Sequence, residues 1–164
     1  MVRSMTATSI RRATLDDIDG IAAMANELFS AHVDYDARRF LVPDDARRVY
    51  RSWFTRPGAD GKLLFLVGER ADRTLCAYAV AEAYAIEPEF SSPEHVYIHD
   101  VFVAPELRHT GLAEQLIEEI TEWAKGRGIR QLRAMIALDN ARSLAFFTKR
   151  GFRTTVTEVT RDLT

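Results

Sequence analysis

Three stretches of this 164-residue chain hold residue types whose spacing could do chemistry. In VFVAPELRHTGLAEQLIEEI, residues 101 to 120, an apolar run passes through Pro105 and a polar loop into an evenly patterned helix with Gly111 in its first turn. A helix start leaves several main-chain N–H groups without intrahelical partners and carries a partial positive charge, so it can hold an anion such as a phosphate. A glycine there lets a ligand approach the main chain, and Arg108 adds a permanent cation suited to phosphate oxygens. Each such contact contributes only about 0.3–1 kcal/mol, so several amides must act together to make a site. A glycine that merely eases a tight strand-to-helix turn accounts for this loop about as well. Neither Gly-x-x-x-x-Gly-Lys nor Gly-x-Gly-x-x-Gly is present, which removes two common phosphate loops.

The second stretch, NARSLAFFTKRGF, reads as a short helix with Asn140 as its N-cap and Gly151 at its C-terminal end. Residues 140, 143, 144 and 147 share one face, because seven positions return to within about 20° after two turns. One side of this helix can therefore face a ligand, and Asn140 can serve as a cap as well. The third stretch is the strand HVYIHDVFV, where alternation puts Tyr97, His99, Val101 and Val103 on one side and Ile98, Asp100 and Phe102 on the other. An ordinary imidazole titrates near about 6.5, so His99 is a candidate general base, acting directly or through water. Asp100 takes that place if a bulge shifts the facing. A plain hydrogen-bonded position in the sheet explains His99 equally well. The four histidines, His32, His95, His99 and His109, show no ligand spacing with cysteines or carboxylates, and no metal is expected.

The elements needed to position these groups follow from the pattern. SIRRAT is β-compatible, and TLDDIDGIAAMANELFSAHV has Thr14 as N-cap with Ile18, Ile21, Ala22, Ala25, Leu28 and Phe29 at helical spacing. PDDARRVYRSWF predicts a second helix, started by Pro43 and the Asp pair and stopped by Pro57 and Gly58. KLLFLVGER and TLCAYAVAEAYAI flank Ala-Asp-Arg as a hairpin, and HVYIHDVFVA follows a loop around Pro88 and Pro93. A helix from about Thr110 to Lys125 comes next, with Leu112, Ala113, Leu116, Ile117, Ile120, Trp123 and Ala124 on its apolar side. QLRAMIAL is a strand, and FRTTVTEVTRDL is expected to supply one or two closing strands. The predicted order, β-α-α-β-β-β-α-β-α-β, implies an α/β (α+β) fold with a mixed, mostly antiparallel central sheet flanked by helices.

At 47% hydrophobic the chain has ample side chains for a core, and no repeat, linker or low-complexity tract divides it, so residues 1–164 read as a single domain. A formal net charge of -2 gives no electrostatic reason to expect nucleic acid or an anionic membrane. Cys76 is the only cysteine and lies in an apolar run, which excludes an internal disulfide and reads as a buried, inert thiol. The chain start has no signal-like apolar run and nothing approaches a membrane span, so the expectation is a soluble, cytoplasmic protein.

Taken together, VFVAPELRHTGLA and NARSLAFFTKRGF resemble the GCN5-related N-acetyltransferase superfamily. In that pattern a strand ending in Val-x-Pro is followed by Gln/Arg-x-x-Gly-x-Gly/Ala, met here by Arg108, Gly111 and Ala113. Later comes Asn-x-x-Ala/Ser-x-x-x-Tyr/Phe-x-x-x-Gly-Phe, met by Asn140, Ser143, Phe147, Gly151 and Phe152. The resemblance covers roughly residues 96 to 152, and two ordered motifs are far more specific than one. It implies an acetyl-CoA cosubstrate whose pyrophosphate rests on Arg108, His109, Thr110, Gly111, Leu112 and Ala113. The pantetheine arm would then lie along Val101, Phe102 and Val103 like an added strand. Asn140, Ser143 and Phe147 would complete the cofactor side.

The implied reaction is N-acetyl transfer to a primary amine of a small molecule or protein by direct attack in a ternary complex. His99 stands where relatives often place a glutamate base. Phe147 replaces a tyrosine that many relatives use to protonate the leaving thiolate; Tyr97 is the substitute donor. Asp34, Tyr35 and Asp36, where relatives build the acceptor site, could attract a cationic amine, although an acidic helix end explains them too. A catalytically weak acyl-CoA sensor of the same fold is the competing class, a generic α/β domain without cofactor is a third, and a homodimer is compatible with the family.

Overall fold

The computed structural model describes residues 8–59, 61–84 and 94–163. Strand β1 (Thr8–Arg12) leads through a short 3-10 turn into α1 (Ile18–Tyr35) and α2 (Ala46–Phe54). Strands β2 (Leu63–Arg70), β3 (Leu75–Tyr84) and β4 (His95–Val103) follow, then α3 (Leu112–Lys125), β5 (Leu132–Ala134) and α4 (Ala141–Thr148). The sheet order is β1-β2-β3-β4-β5, antiparallel as far as β4, with β5 parallel to β4. The parallel pair is joined through α3, because a parallel neighbour needs a crossover where an antiparallel one needs only a turn. The expected continuation of β3 to Ile86 and the loop around Pro88 and Pro93 lie outside the described residues.

Two cores sandwich the sheet. On one face α1 and α2 bury Ile18, Ile21, Ala25 and Tyr50 against Phe65, Val67, Tyr78, Val80 and Phe102. On the other, α3 buries Leu112, Leu116, Ile117 and Ile120 against Leu64, Leu66, Ala79, Val96, Ile98 and Val103, and Phe147 of α4 joins them. The central strands are covered on both faces, which is why β2 and β3 read as continuous apolar runs with little alternation. The expected mixed sheet between helical layers is the fold observed.

The first connection is pinned by charge. Arg11 donates to both Asp17 carboxylate oxygens at 2.8 Å and also pairs with Glu69 of β2. Asp17 in turn accepts from the Thr14 N–H at 2.7 Å. These hydrogen bonds, Arg11 foremost, hold the Asp17 carboxyl at about 2. Two carboxylates buried beside one guanidinium tie β1, β2 and the entry to α1 together.

The closing strands expected from FRTTVTEVTRDL are not formed: residues 152–163 have no strand structure. The cause is the lack of a ladder and of a face to bury. β5 is three residues long, and Val156, Val159 and Leu163 point to solvent, Val159 at 89% exposure. β-propensity without cross-strand partners does not make a strand. Ion pairs Arg39–Glu158 and Arg38–Asp162 hold this segment to the connection after α1 instead. QLRAMIAL shortens for a related reason, since only Leu132–Ala134 pair with β4 before the chain turns away.

Candidate functional site

The register of β3 against β4 corrects the simple alternation expected for HVYIHDVFV. Val80 pairs with Asp100 but the next residue, Ala81, pairs with Ile98, so His99 is an extra residue on β4. A bulge of this kind bends its strand and re-aims the side chains beside it. Ile98, Val101 and Val103 consequently all pack on the α3 side, whereas Phe102 stacks on Tyr78 in the opposite core. His99 and Asp100, expected on opposite sides, both turn toward α2. His99 meets Trp53 there with ring centroids 4.9 Å apart, and the Tyr50 hydroxyl donates to Asp100 at 2.6 Å.

The two candidate bases differ in surroundings. Asp100 keeps part of its surface accessible, yet protein surrounds its carboxyl closely enough that burial raises it above the usual carboxylate range. Tyr50 partly offsets that by donating to it, and Tyr50 also shares a hydrogen bond with Tyr78 at 3.1 Å. Burial, then the Asp100 charge, holds both phenols well above their ordinary range. Asp100 thus anchors the bulge to α2. The His99 imidazole is also partly accessible, and its Nε2 lies 3.3 Å from a Glu82 oxygen. The other Glu82 oxygen pairs with Arg56, and the Tyr84 hydroxyl reaches toward Glu82 at 3.4 Å.

Glu82 is the residue that reading the sequence missed. Its signal is a lone carboxylate in the apolar run AYAVAEAYAI, placed by hairpin register opposite Tyr97. Tyr97 packs 5.0 Å from the His99 ring, and burial, followed by the charge of Glu158, raises its hydroxyl above the ordinary phenol range. It is therefore a proton donor throughout the neutral range, with the Met135 main chain hydrogen-bonded to it.

Beside this cluster β4 parts from β5. Their pairing runs from Val96 and Leu132 to Ile98 and Ala134 and stops there. The Ala104 N–H donates to Cys76 of β3 at 2.8 Å, so the alternation of an extended strand turns the main-chain polar groups of Val101 and Val103 to the other edge, toward the gap. Phe102 directs its main chain to β3 and its side chain to the α1 and α2 core, leaving it no group aimed into the gap. At the end of the strand the Arg108 Nε donates to the Val103 carbonyl at 3.2 Å.

The Arg108–Ala113 loop follows the end of β4 and is tied back to it by the Arg108–Val103 bond. Helix α3 begins at Leu112 after a short 3-10 turn over Pro105–Leu107, two residues later than expected. His109 and Gly111 both adopt left-handed φ, at 67° and 90°, which turns the chain sharply into the helix. No side chain caps α3, so its first-turn amides keep their donors for a ligand. A Cβ at Gly111 would meet nothing within 4 Å, so the space beside this glycine is open. Such a cradle fits an anion, with Leu112 anchored in the core behind it and Thr110 fixed through its hydroxyl to the Leu107 carbonyl at 2.7 Å.

The remaining predicted residues fall as follows. Asn140 accepts from the Ser143 N–H at 3.1 Å and caps α4. Phe147 is 8% exposed and packs edge-on against Phe146 and Phe152. Asp34 and Tyr35 belong to the last turn of α1, which runs further than expected, and Asp36 caps it while accepting from the Arg38 N–H at 3.0 Å. Among the described residues no group of three or more His, Cys, Asp or Glu side chains is gathered as a metal site, and no helix is long and apolar enough to cross a membrane.

Comparison with known proteins agrees with this architecture. A structure of a variant of the BH1408 protein from Bacillus halodurans superposes with a TM-score of 0.82 at 21% identity, covering 95% of this chain and 99% of that one. The aminoglycoside N-acetyltransferase AAC(6')-Iy, solved in complex with CoA, gives 0.76 at 20% identity and 99% coverage of both chains. At these identities the likeness concerns the fold. An uncharacterised N-acetyltransferase of Methanocaldococcus jannaschii is 26% identical over 144 residues, 88% of this chain, and the chain spans 60% of that protein's length. The family model described as acetyltransferase (GNAT) family matches residues 25–152. That span takes in both sides of the gap, from the middle of α1 to Phe152 beyond α4, and on this match the chain belongs to the acetyltransferase (GNAT) family.

Proposed function

We propose that this chain transfers an acetyl group from acetyl-CoA to a primary amine by direct attack while both substrates are bound. The observation that carries the reading is the bulge at His99, which sets an imidazole backed by Glu82 next to the point where β4 leaves β5. A base therefore stands at one end of an open strand edge whose other end runs into an uncapped helix start.

In this reading the amides and side chains of residues 108 to 113 hold the pyrophosphate. The main-chain groups of Val101 and Val103 hydrogen-bond the pantetheine arm as an added strand would. Asn140 and Ser143, at the start of α4, flank the far side. Acetyl-CoA supplies the activated carbonyl as a thioester. The protein's part is to orient the amine, take its proton and return one to sulfur. His99 accepts the amine proton as the N–C bond forms and the C–S bond breaks, and Glu82 orients the imidazole and offsets the charge it gains. Tyr97, protonated at neutral pH, supplies the proton to the thiolate; Phe147 has none to give. With Cys76 buried and donating to the Gly68 carbonyl, no thiol is placed for a covalent relay.

The test is release of free CoA thiol from acetyl-CoA in the presence of a panel of primary amines, with the wild-type chain and His99→Gln. Turnover with at least one amine is expected, reduced about 10²- to 10⁴-fold in kcat/KM by the substitution, the usual range for losing a general base. An unchanged pH–rate profile in His99→Gln removes His99 from the mechanism. Saturable acetyl-CoA binding without release on any amine replaces the enzyme by an acyl-CoA sensor.

A further inference from the structure

The surroundings of His99 say more about the acceptor than about the donor. Four rings from three elements meet at this point: Trp53 of α2, Tyr84 of β3, and Tyr97 and His99 of β4. The His99 ring lies 4.9 Å from Trp53, 5.0 Å from Tyr97 and 6.2 Å from Tyr84, and the two tyrosines are 6.1 Å apart. None of the four is fully buried, and Tyr84 is 41% exposed. An amine that reaches the imidazole therefore passes over aromatic faces. Such faces attract an ammonium through their quadrupole and an apolar carbon skeleton through burial.

The carboxylates here are already engaged. Glu82 is shared between Arg56 and His99, Asp100 is held by Tyr50, and Glu158, beyond Tyr97, pairs with Arg39. Each ammonium group of a polycation that is taken out of water needs an anionic partner to replace it. Among the described residues, the carboxylate that reaches His99 is Glu82, and it is half neutralised by Arg56.

We infer that the acceptor is a primary monoamine on an apolar, ring-bearing body, received against the accessible surface of Trp53, Tyr84 and Tyr97 with its nitrogen toward His99. This rests on the acetyltransferase reading above and narrows its substrate class, in contrast to the polycationic aminoglycosides of the structural neighbours.

The experiment compares kcat/KM of the full chain, at saturating acetyl-CoA, for 2-phenylethylamine, spermidine and kanamycin, read as CoA thiol release. The aryl amine should exceed both polycations by at least about tenfold. Tyr84→Leu, at a largely exposed ring, should lower kcat/KM for 2-phenylethylamine about 3- to 10-fold, the value of one aromatic contact, with KM for acetyl-CoA unchanged. Trp53→Leu should do the same, and binding of 2-phenylethylamine followed by calorimetry without acetyl-CoA gives a readout independent of turnover. Preference for spermidine or kanamycin, or full 2-phenylethylamine activity in both variants, overturns the acceptor class and leaves the transferase standing. Bound acetyl-CoA with no turnover on any amine overturns the transferase and this inference with it.

Discussion

Replacing Gly111 by alanine separates the turn from the anion cradle, because the structure assigns different magnitudes to the two. Gly111 has φ 90° and ψ 1°, and a Cβ built there meets nothing within 4 Å. No clash is added, so the fold loses only the cost of holding an L-residue in left-handed backbone, about 1–2 kcal/mol. In a chain of this size that lowers Tm by about 2–4 °C for each kcal/mol. In the proposed reading the new methyl group enters the open space beside Gly111 through which a pyrophosphate would approach the first-turn amides of α3. Each of those contributes about 0.3–1 kcal/mol toward an anion, so keeping a pyrophosphate off three of them weakens CoA about 5- to 150-fold. Calorimetric titration with CoA and with pantetheine, which lacks the pyrophosphate, gives the comparison, and thermal melts without ligand give the cost to the fold. CoA should weaken and pantetheine should not. A CoA Kd within twofold of the unsubstituted protein, beside the expected fall in Tm, would show that the glycine serves the turn alone and that the cradle argument is wrong.

Three further outcomes follow from the site and its frame. Tyr97→Phe should lower kcat about tenfold or more with the CoA Kd unchanged, and because burial keeps this hydroxyl protonated the deficit should persist from about pH 6 to 9; equal turnover removes Tyr97 as the donor. Glu82→Gln should lower kcat while leaving KM for acetyl-CoA alone, and unaltered kcat in steady-state assays would leave Glu82 a structural partner of Arg56. For stability, the Asp17 carboxyl held at about 2 by Arg11 contributes fully above the ordinary carboxylate value near about 4. That contribution, about 2 kcal/mol, is lost as pH falls through about 2. Denaturant titrations between about pH 5 and 2 should show this slope in the wild type and a shallower one in Asp17→Asn, and parallel curves would assign acid lability elsewhere.

The sequence patterns predict most of the scaffold because most of it obeys a single period. The apolar side of α3 repeats at helical spacing, and Leu112, Leu116, Ile117, Ile120, Trp123 and Ala124 are the residues it buries. Residues 152–163 also show strand-like alternation, yet no strand forms there, since a strand needs a partner edge and the sequence does not show that β5 offers only three residues. At the candidate site, the shared facing of His99 and Asp100 and the nearness of Glu82 are what regular alternation does not show, for the opposite reason, a local break in period. HVYIHDVFV alternates cleanly on paper, and a bulge adds one residue without changing composition, so nothing in the strand itself shows that His99 and Asp100 share a side. The available hint was two adjacent polar residues in a strand otherwise buried on both faces, where one of them must either go unpaired or force the backbone to re-aim. Glu82 is a polar residue near the end of β3, where the bulged register sets it opposite Tyr97 and leaves it 3.3 Å from the His99 imidazole. Polar residues that interrupt otherwise apolar strands therefore mark the place where β3 and β4 depart from regular pairing, and it is the extra residue of the bulge that brings His99 within reach of Glu82.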